Sequence, residues 1–279
     1  MTIEAAVGAL APEEFVQPEH RLFIDTNVFM DTDPAHEGGL KRLFERCAEA
    51  IRAHENPVVV PSKVVDELTK QSVIDTSGLS EERAGSIKKA GNALVFLSAA
   101  VDAGLIRTDL GDVSNPYADD LFVEVFKRAA HRYEMCLLTN DITLRLRIRL
   151  LAAETDRRLV AGVITKDGLI EVDSDQALYA RASRKHARMT RHVEEGLGTD
   201  KDQNEIAALA PLLGDFQQTF SVTPVIAAPG ARRTTRQQRS AVGTARRVPG
   251  AFNPSTTIKA PDRLLEGSAV LPAAGDTVH

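Results

Sequence analysis

Four acidic residues stand where a fold could bring their side chains together. Asp25 and Asp141 each come at the end of a short apolar run, Glu67 lies in a helical stretch after a β-branched run, and Asp119 begins a helical apolar stripe. Each is ordinary on its own, because helix N-termini favour hydrogen-bond acceptors and negative charge. Together they would meet at the carboxyl ends of parallel strands, where sites form in open α/β sheets.

A cluster of these carboxylates requires a cation. Two like charges about 4 Å apart repel by roughly 4 kcal/mol at an effective dielectric constant near 20. A divalent cation removes that repulsion, and oxygen ligands without Cys or His favour Mg²⁺ or Mn²⁺ over zinc. The sequence contains no Ser/His/Asp or Cys/His arrangement that would supply a nucleophilic side chain. The pattern therefore predicts a magnesium or manganese site.

Alternating strands and helices must position the four acids. Short apolar runs predict strands at 22–24, 58–60, 105–108 and 134–139. Helical spacing and cap residues predict helices at 39–54, 62–72, 81–103 and from about 115 to 130. This alternation predicts an α/β protein, a three-layer α/β/α sandwich with a central parallel sheet.

One segment gives two conflicting signals. Residues 142–150 read ITLRLRIRL, which alternates apolar residues and arginines and so has the period of a strand. Leu144, Ile148 and Leu151 also form a helical stripe. We predict a helix that begins at Asp141.

The chain divides by composition into four parts. Residues 1–20 are predicted to be an N-terminal lead-in and 21–159 the α/β domain. Residues 160–220 form an extension with a small hairpin turning at 166–168 and a helix at 176–196, and 221–279 form a disordered basic tail. The tail holds eight Lys or Arg and three Asp or Glu, which gives it a net charge of +5. Because the whole chain has a net charge of −5, residues 1–220 carry −10. This distribution argues against nucleic-acid binding over the whole surface and permits local basic contacts.

Nothing in the sequence indicates export or membrane insertion. The N-terminus lacks the basic start and long apolar core of a signal peptide. The most apolar window, 93–106, is interrupted by Asp102 and is too short to span a bilayer. Cys136 lies inside an apolar run, which favours a reduced core thiol. We expect a cytoplasmic protein without membrane contact.

Four sequence blocks together resemble a known family. In chain order they are FIDTNVF, VVVPSKVVDEL, NPYADDLFVEVFKRA and LLTNDITLRLRI. They resemble the four signature blocks of PIN-domain nucleases and cover about residues 20–155. The last block is most similar to PIN domains fused to PhoH-type ATPases, although this chain contains no P-loop.

The resemblance implies a metal-dependent endoribonuclease with a PIN-like domain at 21–159. Its catalytic and metal-binding acids would be Asp25, Glu67, Asp119 and Asp141, with Asp120 as the alternative ligand in the third block. The supporting polar residues would be Thr26, Asn27 and Asn140. One or two Mg²⁺ or Mn²⁺ ions would be the cofactors, and RNA the partner.

Basic residues must flank an acidic site that receives RNA. The candidates for RNA binding are Lys63, Arg145, Arg147, Arg149, Arg184 and Arg188. The last two belong to a stripe of arginines at 181, 184, 188 and 191, which would share one face of a helix. Aromatic residues are only 5% of the chain and Trp is absent, so we expect recognition of backbone and shape rather than base stacking.

Other functions stay open. A non-catalytic PIN module could bind RNA or protein, although degenerate members usually lack acids that this chain retains. A structure-specific DNA nuclease of the flap-endonuclease kind is a further alternative, disfavoured by the lead-in and the lack of a helix-hairpin-helix. A toxin with an antitoxin-like partner is disfavoured by the roughly 120 residues beyond the resemblance. A homodimer also stays open.

Overall fold

A seven-stranded sheet organises the part of the chain that the computed structural model describes, residues 8–31, 33–74, 80–110 and 118–223. The strands lie in the order β1-β7-β6-β5-β2-β3-β4. Those from β6 to β4 are parallel, whereas β7 and β1 add antiparallel pairs at one edge. The bounds are β1 Gly8–Leu10, β2 His20–Ile24, β3 Val58–Val59, β4 Ile106–Arg107, β5 Glu134–Leu138, β6 Leu159–Ile164 and β7 Ile170–Val172.

Helices alternate with the parallel strands along the described chain. They are α1 Thr26–Phe29, α2 Gly39–His54, α3 Ser62–Ser72, α4 Glu81–Asp102, α5 Ala118–Ala129, α6 Ile142–Ala153, α7 Asp175–Glu194 and α8 Asp200–Phe220, with a 3-10 helix at Pro12–Val16. The α/β prediction with a mostly parallel sheet is confirmed, and the arrangement is compatible with three layers. The predicted start of the helix at about residue 115 lies outside the described residues.

The central strands carry continuous apolar sequence because the fold buries them. Leu22, Ile24 and Leu138 are each at most 1% exposed. Strand β2 is the middle strand of the parallel five, and its register with β5 pairs Ile24 with Leu138. The residues after the paired ends, Asp25 and Thr139, therefore emerge side by side at the carboxyl edge of the sheet.

Helix α6 explains the alternating sequence ITLRLRIRL. Leu144 and Ile148 belong to the main core beside the sheet, whereas Leu146 belongs to a second core shared with α7 and α8. All three side chains are fully buried. A helix buried on two faces has more apolar positions than a helix buried on one face. In α6 the positions on the two faces together fall at every second residue, which gives the sequence the period of a strand. The helix prediction is confirmed.

The structure changes two of the predicted boundaries. Strand β6 crosses the boundary at 159 and pairs in parallel with β5, so the hairpin of β6 and β7 continues the central sheet. Residues 8–20 are also part of the fold, because β1 pairs with β7 and Phe15 and Val16 are buried. Apolar side chains and strand pairing, rather than chain position, decide where the domain ends.

Two further expectations concern the tail and the cysteines. The tail from residue 224 lies outside the described residues. Cys47 and Cys136 are free and buried, and burial raises the pKa of both thiols.

Within the described ranges no helix is long and apolar enough to cross a membrane.

Candidate active site

Asp25 is fixed at the carboxyl end of β2 by hydrogen bonds to both carboxylate oxygens. Its Oδ1 accepts the Thr26 N–H at 2.6 Å, which makes Asp25 the N-cap of α1. Its Oδ2 accepts the Thr139 hydroxyl at 2.8 Å and the Asn27 side-chain amide. The residue is only 3% exposed. These bonds leave Asp25 one well-defined orientation at the edge of the sheet.

The Thr139 hydroxyl links the Asp25 carboxylate to the backbone of Asp141. Its Oγ1 donates to Asp25 and accepts the Asp141 N–H at 3.0 Å. Asp141 in turn caps α6, with Oδ1 accepting the N–H groups of Thr143 at 2.6 Å and Leu144 at 3.1 Å. Sequence reasoning missed Thr139. The available signal was a hydroxyl residue at the end of an apolar strand, directly before the predicted residues Asn140 and Asp141.

The predicted supporting residues form a connected network below the acids. Asn27 Oδ1 accepts the backbone N–H of Asn140 at 2.8 Å, and Thr26 Oγ1 donates to Glu67 Oε2 at 2.6 Å. The Asn140 side-chain amide donates to Asp31 at 2.8 Å. Asp31 was not predicted, because nothing in its local sequence places it near Asn140.

Aromatic packing positions the helix that carries Asp119. The ring of Phe126 on α5 lies 5.1 Å from that of Phe23 on β2, between ring centroids, and Phe126 is fully buried. Asp119 occupies the first turn of α5. With Glu67 it lines an open pocket of about 300 Å³, whose other lining residues are Ala118, Asp120 and Arg147.

The four acids are close enough to influence one another's ionisation. The pKa of Asp25 is raised to about 7, mainly by burial and also by the charges of Asp119 and Asp141, against the lowering effect of the hydrogen bonds from Thr139 and Thr26. Burial also raises the pKa of Asp119 to about 6, with further upward effects from Asp141 and Glu67. These shifts favour the protonated acids, so the site holds negative charge at a cost in free energy. The structure thus places the four predicted carboxylates within electrostatic range of one another.

Asp120 differs from the other acids of the pocket in its exposure. It is exposed, and its Oδ1 accepts a hydrogen bond from Arg147 at 2.8 Å. Arg147 lowers the pKa of Asp119 by its charge, whereas Asp120 raises it. Asp120 and Arg147 therefore form the charged rim of the pocket.

The donor chemistry fits a hard divalent cation. The site offers carboxylate oxygens whose mutual repulsion a cation would relieve. Asn140 Oδ1 is buried without a hydrogen-bond partner among the described residues. In the same ranges, however, no three His, Cys, Asp or Glu side chains are placed to hold one ion together. The ligand types are present, but the side chains do not converge on a single point.

The basic residues predicted to bind RNA divide into two groups. Arg145 is 4% exposed and pairs with buried Asp173 at 2.7 Å, and Lys63 is buried and pairs with Asp66 at 3.3 Å. Neither is free to bind RNA, because burial and an internal ion pair hold each side chain inside the fold. RNA binding by these two residues stays a prediction, and their burial and ion pairs argue against it.

Arg149 has a structural partner as well. It pairs with Asp175 at 2.7 Å, and its guanidinium lies 4.1 Å from the ring centroid of Phe220, which ties α6 to α7 and α8. On α7, Arg184 and Arg188 are exposed. They and Arg147 remain accessible to a ligand.

The sequence was also compared with known proteins. No family model matches the chain, and no curated protein matches it.

Proposed function

We propose that this chain is a Mg²⁺- or Mn²⁺-dependent nuclease that hydrolyses RNA phosphodiester bonds, with a three-layer PIN-like domain. One observation carries the proposal. Asp25, Glu67, Asp119 and Asp141 come from four separate segments and lie within electrostatic range of one another, and burial and mutual charge raise the pKa values of Asp25 and Asp119. Such clusters of perturbed groups are typical of functional sites.

The residues have distinct roles in this proposal. Asp25, Glu67, Asp119 and Asp141 would hold the cation, which when bound supplies a water of lowered pKa and neutralises charge on the phosphate. Thr139 orients the Asp25 carboxylate through its hydroxyl and accepts the backbone N–H of Asp141, and hydrogen bonding between supporting groups and metal ligands fixes ligand geometry.

Arg147 supplies positive charge at the rim. It lies in the acidic pocket and pairs with Asp120 through a partly exposed guanidinium. A phosphate oxygen that approaches the pocket can replace Asp120 as its partner, because guanidinium binds carboxylate and phosphate in the same way. Arg147 would orient the substrate phosphate and offset the repulsion between it and the acids.

A second candidate is a PIN-like module that binds RNA or protein without cutting. The observation that favours it is the lack of any three acids placed to hold one ion among the described residues. A site of this kind would keep the acidic network for structural reasons. The two candidates differ in whether the protein consumes its RNA.

The deciding experiment combines cleavage with analysis of product ends. One end-labelled RNA and its DNA counterpart are incubated with the protein and Mn²⁺, Mg²⁺ or EDTA. The proposal predicts metal-dependent cleavage of RNA without 2′,3′-cyclic phosphate ends, because water rather than the ribose hydroxyl is the nucleophile. Cyclic phosphate ends, or cleavage that persists in EDTA, would contradict it. Retention of intact RNA would favour the binding module, and preferential DNA cleavage the DNA nuclease.

A further inference from the structure

Helix α7 presents a row of arginines on one face. From Arg181 to His192 it contains basic residues and no acid. Arg184, Arg188 and Arg191 recur at intervals of four and three, so their side chains lie along one side of the helix. All three are exposed. We refer to these three residues as the α7 basic face.

The α7 basic face has no counter-charge within the described part of the fold. The neighbouring cations do: Arg181 lies 3.4 Å from Asp173, and Lys185 pairs with Glu205. The guanidinium groups of the α7 basic face make no ion pair or hydrogen bond to any residue in the described ranges. Like charges at i and i+4 destabilise a helix. An external anion would remove this repulsion.

A groove lies between two residues of the α7 basic face, Arg184 and Arg188, and the residues on either side of Asp141. It has a volume of about 590 Å³ and is lined by Asn140, Ile142, Arg145, Arg181, Arg184, Lys185 and Arg188. At its inner end Lys185 Nζ lies 4.0 Å from Asp141 Oδ1 and 3.5 Å from Thr143 Oγ1. A chain of phosphates that follows α7 would therefore arrive beside Asp141.

We propose that the α7 basic face binds the phosphodiester backbone of single-stranded RNA and leads it into the acidic site. This inference depends on the proposed function for its substrate. Arg184 and Arg191 are separated by about 10 Å along the helix, the length of about three nucleotides in a stacked strand. A single row of cations matches the phosphates of one strand. The groove lining contains no aromatic residue among the described residues, so contacts go to the backbone rather than to stacked bases.

Equilibrium binding in EDTA tests the proposal without cleavage. The probe is a short fluorescein-labelled oligouridylate, measured by anisotropy over a range of salt concentrations. The double variant Arg184→Gln/Arg188→Gln should bind at least roughly tenfold more weakly at low salt, and the slope of log K against log salt should fall by about 1.4, since each lost phosphate contact on a single strand removes about 0.7. Arg184→Lys/Arg188→Lys should recover most of the slope because it keeps the charge.

The matched control is Arg52→Gln/Arg157→Gln. Both arginines are exposed, and they lie before β3 and β6, at the opposite edge of the sheet from the acids. The control should keep the wild-type affinity and slope. An unchanged salt slope in the Arg184→Gln/Arg188→Gln variant would overturn the proposal, and so would an equal loss of affinity in the control variant. Duplex RNA that competes with the probe as well as single-stranded RNA does would also overturn it. If the double variant loses binding as expected but the wild type never cleaves with Mn²⁺, the binding surface stands and the nuclease proposal fails.

Discussion

Replacing Asp25 by Asn isolates the cost of holding charge in the acidic cluster. Asn is neutral at every pH, whereas Asp25 has a pKa of about 7 in the folded protein and an ordinary value of 3.8 when the chain is unfolded. Because the folded-state pKa is raised, the contribution of Asp25 to stability is fully present below the unfolded value and is lost as pH rises through about 7. The wild type should therefore lose stability relative to Asp25→Asn as the pH increases.

The size of this effect follows from the two pKa values. Between about pH 5 and pH 8 the wild type should lose about 2–3 kcal/mol relative to the variant, by proton linkage. No discount for solvent screening is needed, because Asp25 is 3% exposed. For a domain of this size the difference corresponds to about 5–10 °C in Tm.

Urea unfolding in EDTA at several pH values measures the difference. A constant offset between the two proteins would report the changed hydrogen bonds to Asn27 and Thr139, whereas the pH-dependent part reports the charge. Asp66→Asn is the control, because ion pairing with Lys70 lowers the pKa of Asp66 and leaves it ionised in both states over this range. Parallel curves for wild type and Asp25→Asn would refute the electrostatic reasoning.

Three other perturbations test separate parts of the structure. Thr139→Val should lower the free energy of unfolding by about 2–3 kcal/mol, because it removes the hydroxyl that bonds the Asp25 carboxylate and the Asp141 backbone N–H. Thr139→Ser keeps the hydroxyl, so its loss of unfolding free energy in the same urea assay should be less than half as large. Arg145→Met should cost about 3–5 kcal/mol because it leaves Asp173 buried without its nearest cation. Mg²⁺ should raise the Tm more at pH 8 than at pH 5.5, by differential scanning fluorimetry, because cations compete with protons for carboxyls of raised pKa.

Each of these has a result that would contradict it. Thr139→Val with wild-type stability would mean that the shared hydroxyl contributes nothing. A fully stable Arg145→Met protein would mean that its ion pair with Asp173 can be replaced at no cost. An equal increase in Tm with Mg²⁺ at both pH values would mean that the metal does not bind at the carboxyls of raised pKa.

Local sequence patterns predicted the acids and the elements that carry them. Asp25 and Asp141 could be found because apolar runs mark the ends of β2 and β5, and Asp119 because an apolar stripe follows it. Glu67 could be placed by the helix after β3. These signals are local, since a strand or an amphipathic helix leaves its period in the sequence.

What the sequence did not predict depends on long-range pairing. Thr139 meets Asp25 only because β2 and β5 pair in the register that joins Ile24 to Leu138. Arg145 is buried because Asp173, 28 residues later, lies opposite it. No local period records such partners. A charged residue in an alternating sequence is therefore predicted to lie at the surface unless its buried counter-ion is known.

The most direct test of the acidic site is Mn²⁺-dependent RNA cleavage by the wild type and Asp141→Asn. Asn also caps helices well, so the start of α6 should be preserved. We predict that Asp141→Asn retains its fold by circular dichroism and cleaves at least roughly a hundredfold more slowly, because several kcal/mol of metal-dependent stabilisation are lost. Asp66→Asn should cleave at the wild-type rate. Cleavage by Asp141→Asn at the wild-type rate, or no metal-dependent cleavage by the wild type, would contradict the proposed acidic site.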